Sequence, residues 1–418
     1  MKKILATLLI LQSTLALALS VHCGGVFDAN SGTMQNNKYI ETQNGVFSKI
    51  ENYAEQKVDI DASTQYCLPG LIDMHTHLSS EYSKTSYAEK FQLNEADYAF
   101  NSVLYAKKTL KAGFTTVRDL GDVFNVTIAL KKAIKNGTLQ GPRIFTAAKS
   151  LATTGGHADP SNGYKQGLLP NPGPKNGVIN GVAQAAQAVR QRYQDGADLI
   201  KITATGGVLS EAASGDNAQF NTDELKSIIA TANDYGFKVA AHAHGKEGMK
   251  RAIIAGVSSI EHGTYSDAEI RGLMKQYGTY LVPTLIAGEW VTEKSKIKGF
   301  FPEVVAKKAA TIGPVIASSF AKAYKAGVNI AFGTDSGVSA HGDNGKEFAL
   351  MVKAGMSTTD ALKAATINAA TLLGQSKNLG TIEVGKYADM VIVKDNPLEK
   401  IETMEQVQKV IKAGKVEF

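Results

Sequence analysis

Two short histidine pairs carry the first chemical signal in this chain, His75-Thr76-His77 and His242-Ala243-His244. Residues i and i+2 of a strand project to the same side, so each pair can present both imidazoles to one zinc ion. Taken alone, each pair also reads as incidental loop histidines. Two further groups change that balance. His262 closes the run Ser259-Ile260-Glu261-His262, and Asp335 closes Ala331-Phe332-Gly333-Thr334-Asp335. Imidazoles and a carboxylate gathered at several strand ends point to a metal site rather than to scattered surface histidines. Lys201 lies in Leu199-Ile200-Lys201-Ile202, a run apolar enough to be buried on both faces. A lone buried ammonium is costly and needs a partner or a shifted pKa. Capture of carbon dioxide would turn it into a carboxylate able to bridge two cations. The alternative is an ordinary lysine snorkelling to a rim.

These residues need elements to position them. Short apolar runs at 70–77, 115–120, 143–148, 198–203, 238–243, 257–262, 280–284 and 328–334 read as strands. Helical patterns lie between them, among them 183–193, 222–235, 246–255 and 303–326, and several end in a glycine just before the next strand. Eight β/α units in about 300 residues is the count of a (β/α)8 TIM barrel, whose active sites lie at the C-terminal strand ends. Each residue singled out above falls at such an end or within such a strand. A doubly wound sheet also alternates strand and helix, but the first strand is followed by no glycine-rich dinucleotide fingerprint.

Both chain ends have a different texture. Residues 19–68 are alternating β-type runs with an Asn44-Gly45 hairpin signal, and 380–386, 388–393, 407–411 and 415–418 return to it. The expected fold class is therefore α/β. A (β/α)8 TIM barrel spans 69–376, beside a small β-sandwich built from 19–68 with 377–418. Residues 1–18 read as a secretory signal peptide: Met1-Lys2-Lys3, an interrupted apolar stretch, then Ala16-Leu17-Ala18. The stretch is too short to span a bilayer. Val21 and His22 before Cys23 do not suit a lipidated cysteine. Export implies a periplasmic or secreted protein, with no membrane attachment once the leader is removed.

The 418 residues are 44% hydrophobic and 20% charged, which excludes wholesale disorder. A net charge of +6 without a basic block is no nucleic-acid footprint. Two cysteines, Cys23 and Cys67, are too few for a disulfide framework or a cysteine-rich zinc module. In an oxidising compartment they are able to pair, but spacing alone does not decide it.

The ordered set Pro69-Gly70-Leu71-Ile72-Asp73-Met74-His75-Thr76-His77, Lys201, His242, His262, Asp335 and Gly385-Lys386-Tyr387-Ala388-Asp389-Met390-Val391-Ile392-Val393 resembles the amidohydrolase superfamily. Within it, the chain looks like the exported branch of Xaa-Pro and Xaa-Arg/Lys dipeptidases, which includes a fungal ochratoxin-hydrolysing carboxypeptidase. The resemblance implies two zinc ions per chain, bridged by an N6-carboxylated Lys201 and a hydroxide. His75, His77 and Asp335 would hold one ion, and His242 and His262 the other. Manganese or cobalt would also suit such ligands. Asp335 would then take a proton from the attacking water and pass it to the leaving amine. His244 is expected to touch substrate rather than metal. His157, in Thr153-Thr154-Gly155-Gly156-His157, matches a position that helps to bind the substrate carbonyl or carboxylate.

The implied activity is hydrolysis of dipeptides or N-acyl amino acids with a free C-terminal carboxylate, with a homo-oligomer as one expected assembly. Three other functions compete. A deaminase of this superfamily carries Glu three residues after the strand-5 histidine, where this chain has Gly245. An imidazolonepropionase-like cyclic-amide hydrolase is mononuclear and lacks a strand-4 lysine. A silent binding protein would have lost a ligand, and none is lost here. Arg118-Asp119 reads as a buried ion pair. Asp159, Glu211, Asp216 and Glu289 are candidates for recognising a cationic substrate side chain, and segments 163–180 and 289–301 are candidate lids.

Overall fold

The computed structural model describes residues 18–212 and 214–418. The expected leader lies outside these residues except for Ala18, which begins the first strand. Strands β1 (Ala18–Asp28), β2 (Thr33–Gln43), β3 (Val46–Asn52) and β4 (Ile60–Pro69) open the chain. The β2–β3 turn forms where Asn44-Gly45 predicts it, with φ of 53° and 82° at the two residues. Such a primed turn needs left-handed backbone at both central positions, which Asn and Gly tolerate best.

Two parallel sheets form the interior. The first holds β5 (Leu71–Thr76), β6 (Phe114–Asp119) and β7 (Arg143–Thr146). A two-residue pair follows, β8 (Ala152–Thr153) with β9 (Val178–Ile179). The second sheet holds β10 (Ile200–Thr203), β11 (Val239–Ala243), β12 (Ser259–His262) and β13 (Tyr280–Val282). Every residue of β5, β6, β10, β11 and β12 is buried. Burial on both faces gives β11 its apolar run, whereas β6 and β12 bury polar and charged residues as well. The helices fall where the 3.6-residue pattern places them, as Val182–Asp195, Thr222–Asp234, Lys246–Ala255 and Glu303–Lys325.

Backbone bonds also run between the sheets. Asp198 N donates to Thr146 O and Leu151 N to Lys201 O; on the other side, Leu281 N donates to Asn329 O and Met74 N to Phe332 O. The expected strand at 328–334 does not form a regular strand. Ile330 makes a single bridge to Leu281 and Ser336 one to Thr76. The ladder fails because its donors are diverted: Thr334 N goes to the Asp73 carboxylate and Phe332 N to Ala364 O.

The tail adds β14 (Met390–Val393), β15 (Lys409–Lys412) and β16 (Lys415–Val416). Both chain ends join one seven-stranded sheet, in the order β16-β15-β14-β4-β1-β2-β3, and its strands share one apolar core. The segment 380–386, expected as a strand, is a turn that docks on β3 through Phe47 N to Lys386 O. Cys23 of β1 and Cys67 of β4 form a buried disulfide, 44 residues apart in sequence, among Val21, Ile40, Met390 and Ile392. Closing a loop of that length restricts the unfolded chain by about 4 kcal/mol. The double variant Cys23→Ser/Cys67→Ser should unfold at a lower urea concentration than the parent. An unchanged midpoint would mean that the bridge adds nothing to stability.

Candidate metal centre

The C-terminal ends of the interior strands converge on one group of side chains. His75 lies next to the end of β5 with His77 just beyond it, Lys201 lies in β10, His242 in β11 with His244 beyond it, and His262 ends β12. Asp335 reaches the same place from the irregular segment, its N–H bonded to His75 O. Two trios result, His75–His77–Asp335 and His242–His244–His262, and within each the potential ligand atoms lie within 4.8 Å of one another.

Each imidazole is oriented through its other nitrogen. His77 Nδ1 donates to Gly121 O at 2.8 Å, and His242 Nε2 to Gly206 O at 3.0 Å. His75 Nδ1 faces Glu261 Oε2 at 3.0 Å. His262 and His244 bond Thr284 and Thr264 at 2.7 and 2.6 Å. Holding one nitrogen by a fixed partner is how proteins aim a histidine lone pair at a metal. The free nitrogens of His75 and His77 lie 3.3 and 3.1 Å from Asp335 Oδ1. That oxygen is buried and has no hydrogen-bond partner. Lone pairs facing a carboxylate oxygen at such distances need a positive charge among them, and this donor set fits divalent cations.

The electrostatics favour neutral imidazole at four of the five histidines; at His77 burial is outweighed by Asp335, which raises it. Burial, then Lys201, pushes His75 down to about 4, and burial pushes His244 down to about 4. Burial and the neighbouring imidazoles hold His242 and His262 well below the ordinary histidine range. Neutral imidazole is the form that binds metal. Burial would raise the Asp335 carboxyl, but His75 and His77 keep it ionised, well below the usual carboxylate range. Lys201 is only 3% exposed and its Nζ lies 3.5 Å from His75 Nε2. Among the described residues it forms no ion pair, and burial lowers it to about 8.

The predicted site residues thus meet at one place, His157 included. Its ring stacks on His242 with centroids 4.3 Å apart. A Cβ at Gly207 would stand 2.2 Å from that ring, so only glycine leaves room for it. Lys308 holds the loop carrying Gly207: its Nζ donates to Gly207 O, Ser210 O and Ala212 O at 2.8, 2.7 and 2.9 Å. The cluster opens on a cavity of about 180 Å³, lined by Leu120, Val208, Val291, Ile312 and Ile316. Of the four candidate carboxylates, Asp159 and Glu211 line an outer cavity, together with part of the 163–180 segment, whereas Asp216 and Glu289 line neither cavity. Most of 289–301 is helical, within Leu285–Ser295.

One expectation is corrected. Arg118 pairs with Glu261, not Asp119: Nη2 lies 2.8 Å from Glu261 Oε1, while Nε and Nη1 bond Met74 O and Ser259. Asp119 instead accepts the N–H of Leu78. Glu261 therefore joins the Arg118 guanidinium to His75. Burial would raise its carboxyl, but Arg118 and His75 hold it at about 2. Sequence reasoning quoted Glu261 without giving it a role, although a charged residue in a buried strand was the cue that singled out Lys201.

The profile described as "Amidohydrolase family" matches residues 66–416. Ochratoxinase of Aspergillus niger is 34% identical over 369 residues, covering 84% of this chain and 75% of that protein. The crystal structure of a Xaa-Pro dipeptidase with methionine bound in its active site is 49% identical, with a TM-score of 0.93, covering 96% of this chain and 99% of that one. A prolidase complexed with N-methylphosphonate-L-proline is 28% identical, with a TM-score of 0.87 over 96% of this chain and 99% of that one.

Removing the charge of Glu261 leaves a buried guanidinium uncompensated, at a cost of about 3–5 kcal/mol. Glu261→Gln should lower stability by that order in urea unfolding, and adding Arg118→Met should recover part of it. Equal stability of Glu261→Gln and parent would show that the pair is not the anchor described.

Proposed function

The chain belongs to the amidohydrolase family, and from that premise we propose that it is a dinuclear zinc hydrolase of dipeptides or N-acyl amino acids with a free C-terminal carboxylate. As a member of that family it is a hydrolase acting on C–N bonds, and the Xaa-Pro dipeptidase and prolidase likenesses favour amide bonds in peptides. The observation that carries the finer reading is the placement of a buried lysine amine, free of ion pairs among the described residues, with two trios of potential ligands.

In this reading His75, His77 and Asp335 would hold one zinc and His242 and His262 the other. Lys201, carboxylated by carbon dioxide, would bridge them and replace a buried cation by an anion. When bound, the metals supply an acidified water and a polarised scissile carbonyl. The chain's own residues do the rest. The ionised Asp335 carboxylate accepts the proton of the attacking water and returns it to the leaving nitrogen. His157 and His244 face the same cavity and orient the substrate carbonyl or carboxylate. Gly245 weighs against deamination: a Cβ there would stand 1.8 Å from Asp216 O, which leaves no room for a glutamate side chain.

The two parallel sheets and the bonds between them support a (β/α)8 TIM barrel over 69–376, with 19–68 and 377–418 as the smaller domain. The disulfide, with the leader-like sequence of residues 1–18, supports a periplasmic or secreted protein. Among the described residues, no helix is long and apolar enough to cross a membrane.

Metal analysis should find about two zinc ions per chain, the complement of a two-metal hydrolase. Labelled bicarbonate should give a carbamate resonance that is absent from Lys201→Ala. Asp335→Asn should lower kcat by roughly 10²–10⁴-fold, the usual worth of a proton-transfer group. Metal-free protein that cleaves these amides at the parental rate would defeat the reading. The apolar wall around Ile312 and Ile316 sets the substrate side chain. C-terminal Leu, Met or Phe should exceed Asp or Lys by about tenfold or more in kcat/KM, since burying an unpaired charge is costly.

A further inference from the structure

Helix Leu285–Ser295 begins directly after Thr284, and its Ala287, Gly288 and Val291 line the cavity beside the imidazoles. A threonine just before a helix ordinarily turns its hydroxyl back to accept a backbone N–H of the first turn. Thr284 does not. Its φ of 53° departs from the extended backbone of an ordinary cap, and its side chain makes no bond to its own helix. The hydroxyl lies instead 2.7 Å from Nδ1 of His262. Leu285 and Ile286 are both buried, so their N–H groups need acceptors from elsewhere.

Glu347 supplies them. It lies in the first turn of helix Lys346–Lys353 and is fully buried. Its Oε1 accepts the N–H of Leu285 at 2.9 Å, and its Oε2 that of Ile286 at 2.7 Å. Burial pushes its carboxyl up to about 8 although both N–H bonds pull the other way, and Asp73 and Glu289 add to the rise. Such a group is costly to keep in the interior. A helix N-terminus, which favours negative charge, offsets part of that cost. Both oxygens of Glu347 therefore serve one helix end, and that end adjoins the hydroxyl that holds His262.

We infer that Glu347 is a positioning residue for His262. It caps helix Leu285–Ser295 in place of Thr284, and so leaves the Thr284 hydroxyl to hold Nδ1 of the imidazole, with Nε2 free for a metal. This rests on the proposed metal site and names a residue that supports it. The line of contacts runs from the Glu347 carboxyl through the helix N–H groups and the Thr284 hydroxyl to the His262 ring. With the carboxyl removed, the bare N–H groups draw the hydroxyl back to its own helix. The ring then loses the partner that fixes its tautomer and its aim.

Zinc affinity, measured by chelator competition on protein shown to be folded by circular dichroism, tests this. Thr284→Val should weaken zinc by about tenfold or more, the usual effect of removing such a partner. Glu347→Gln keeps the shape but loses one acceptor, and it should weaken zinc too. The double variant should be no weaker than Thr284→Val alone, because both changes break one line of contacts. In metal-free protein carrying nitrogen-labelled histidine, both single variants should move the same Nδ1–H resonance. Additive losses would overturn the inference. So would a Glu347→Gln protein that is less stable but keeps the parental zinc affinity and resonance, since Glu347 would then be a structural cap alone. Thr284→Val also tests the capping with Glu347 intact: the amides of Leu285 and Ile286 should exchange with deuterium as slowly as in the parent. Faster exchange would show Thr284 capping its own helix and would reject the role of Glu347. A parent that binds no zinc would defeat the metal-site reading instead, and the resonance and exchange rates would still decide whether Glu347 positions His262.

Discussion

The structure is organised around facing lone pairs that a bound cation would share. Asp335 Oδ1 faces nitrogens of His75 and His77 whose rings are tied back by Glu261 and Gly121. Lys201 stands beside them with no counter-charge at ion-pair distance among the described residues. In a medium of low dielectric, such an array is costly until its lone pairs are shared. The surrounding strands hold it in place. Arg118 reaches across from β6 to Met74, Ser259 and Glu261, so three strands are pinned by one guanidinium behind the site.

Backbone conformation contributes as much as side-chain choice. His262, Thr284 and Asp335 all have positive φ, of 71°, 53° and 58°. None is glycine, and each stands where a strand-like segment ends at the site. Departures from allowed backbone cost of order 1–3 kcal/mol each and persist where packing enforces them. Here they turn a ligand, or the hydroxyl that orients one, out of strand alternation and toward the cavity.

That conformation explains what was legible in the sequence and what was not. The pairs His75/His77 and His242/His244 could be read because i and i+2 share a side without further information. The interior strands were legible where burial on both faces selects apolar residues, as in Val239–Ala243. Glu261 was missed because alternation sends it away from His262. With His262 at a φ of 71°, both neighbours face His75. The irregular 328–334 segment was misread for a similar reason. Its composition is that of a buried strand, but Asp73, distant in sequence, takes its hydrogen bonds. The partner of Arg118 is another long-range choice, since Asp119 is adjacent and Glu261 lies 143 residues away.

Lys308 occupies a helix whose next two turns carry Ile312 and Ile316. One face of that helix therefore supplies the apolar wall of the inner cavity and the ammonium that grips the loop beneath His157. Reshaping that wall would shift the ammonium and with it the loop that carries Gly207. Changes to the apolar wall and changes to the loop under His157 are mechanically yoked in this scaffold, and substitutions in one will combine non-additively with those in the other.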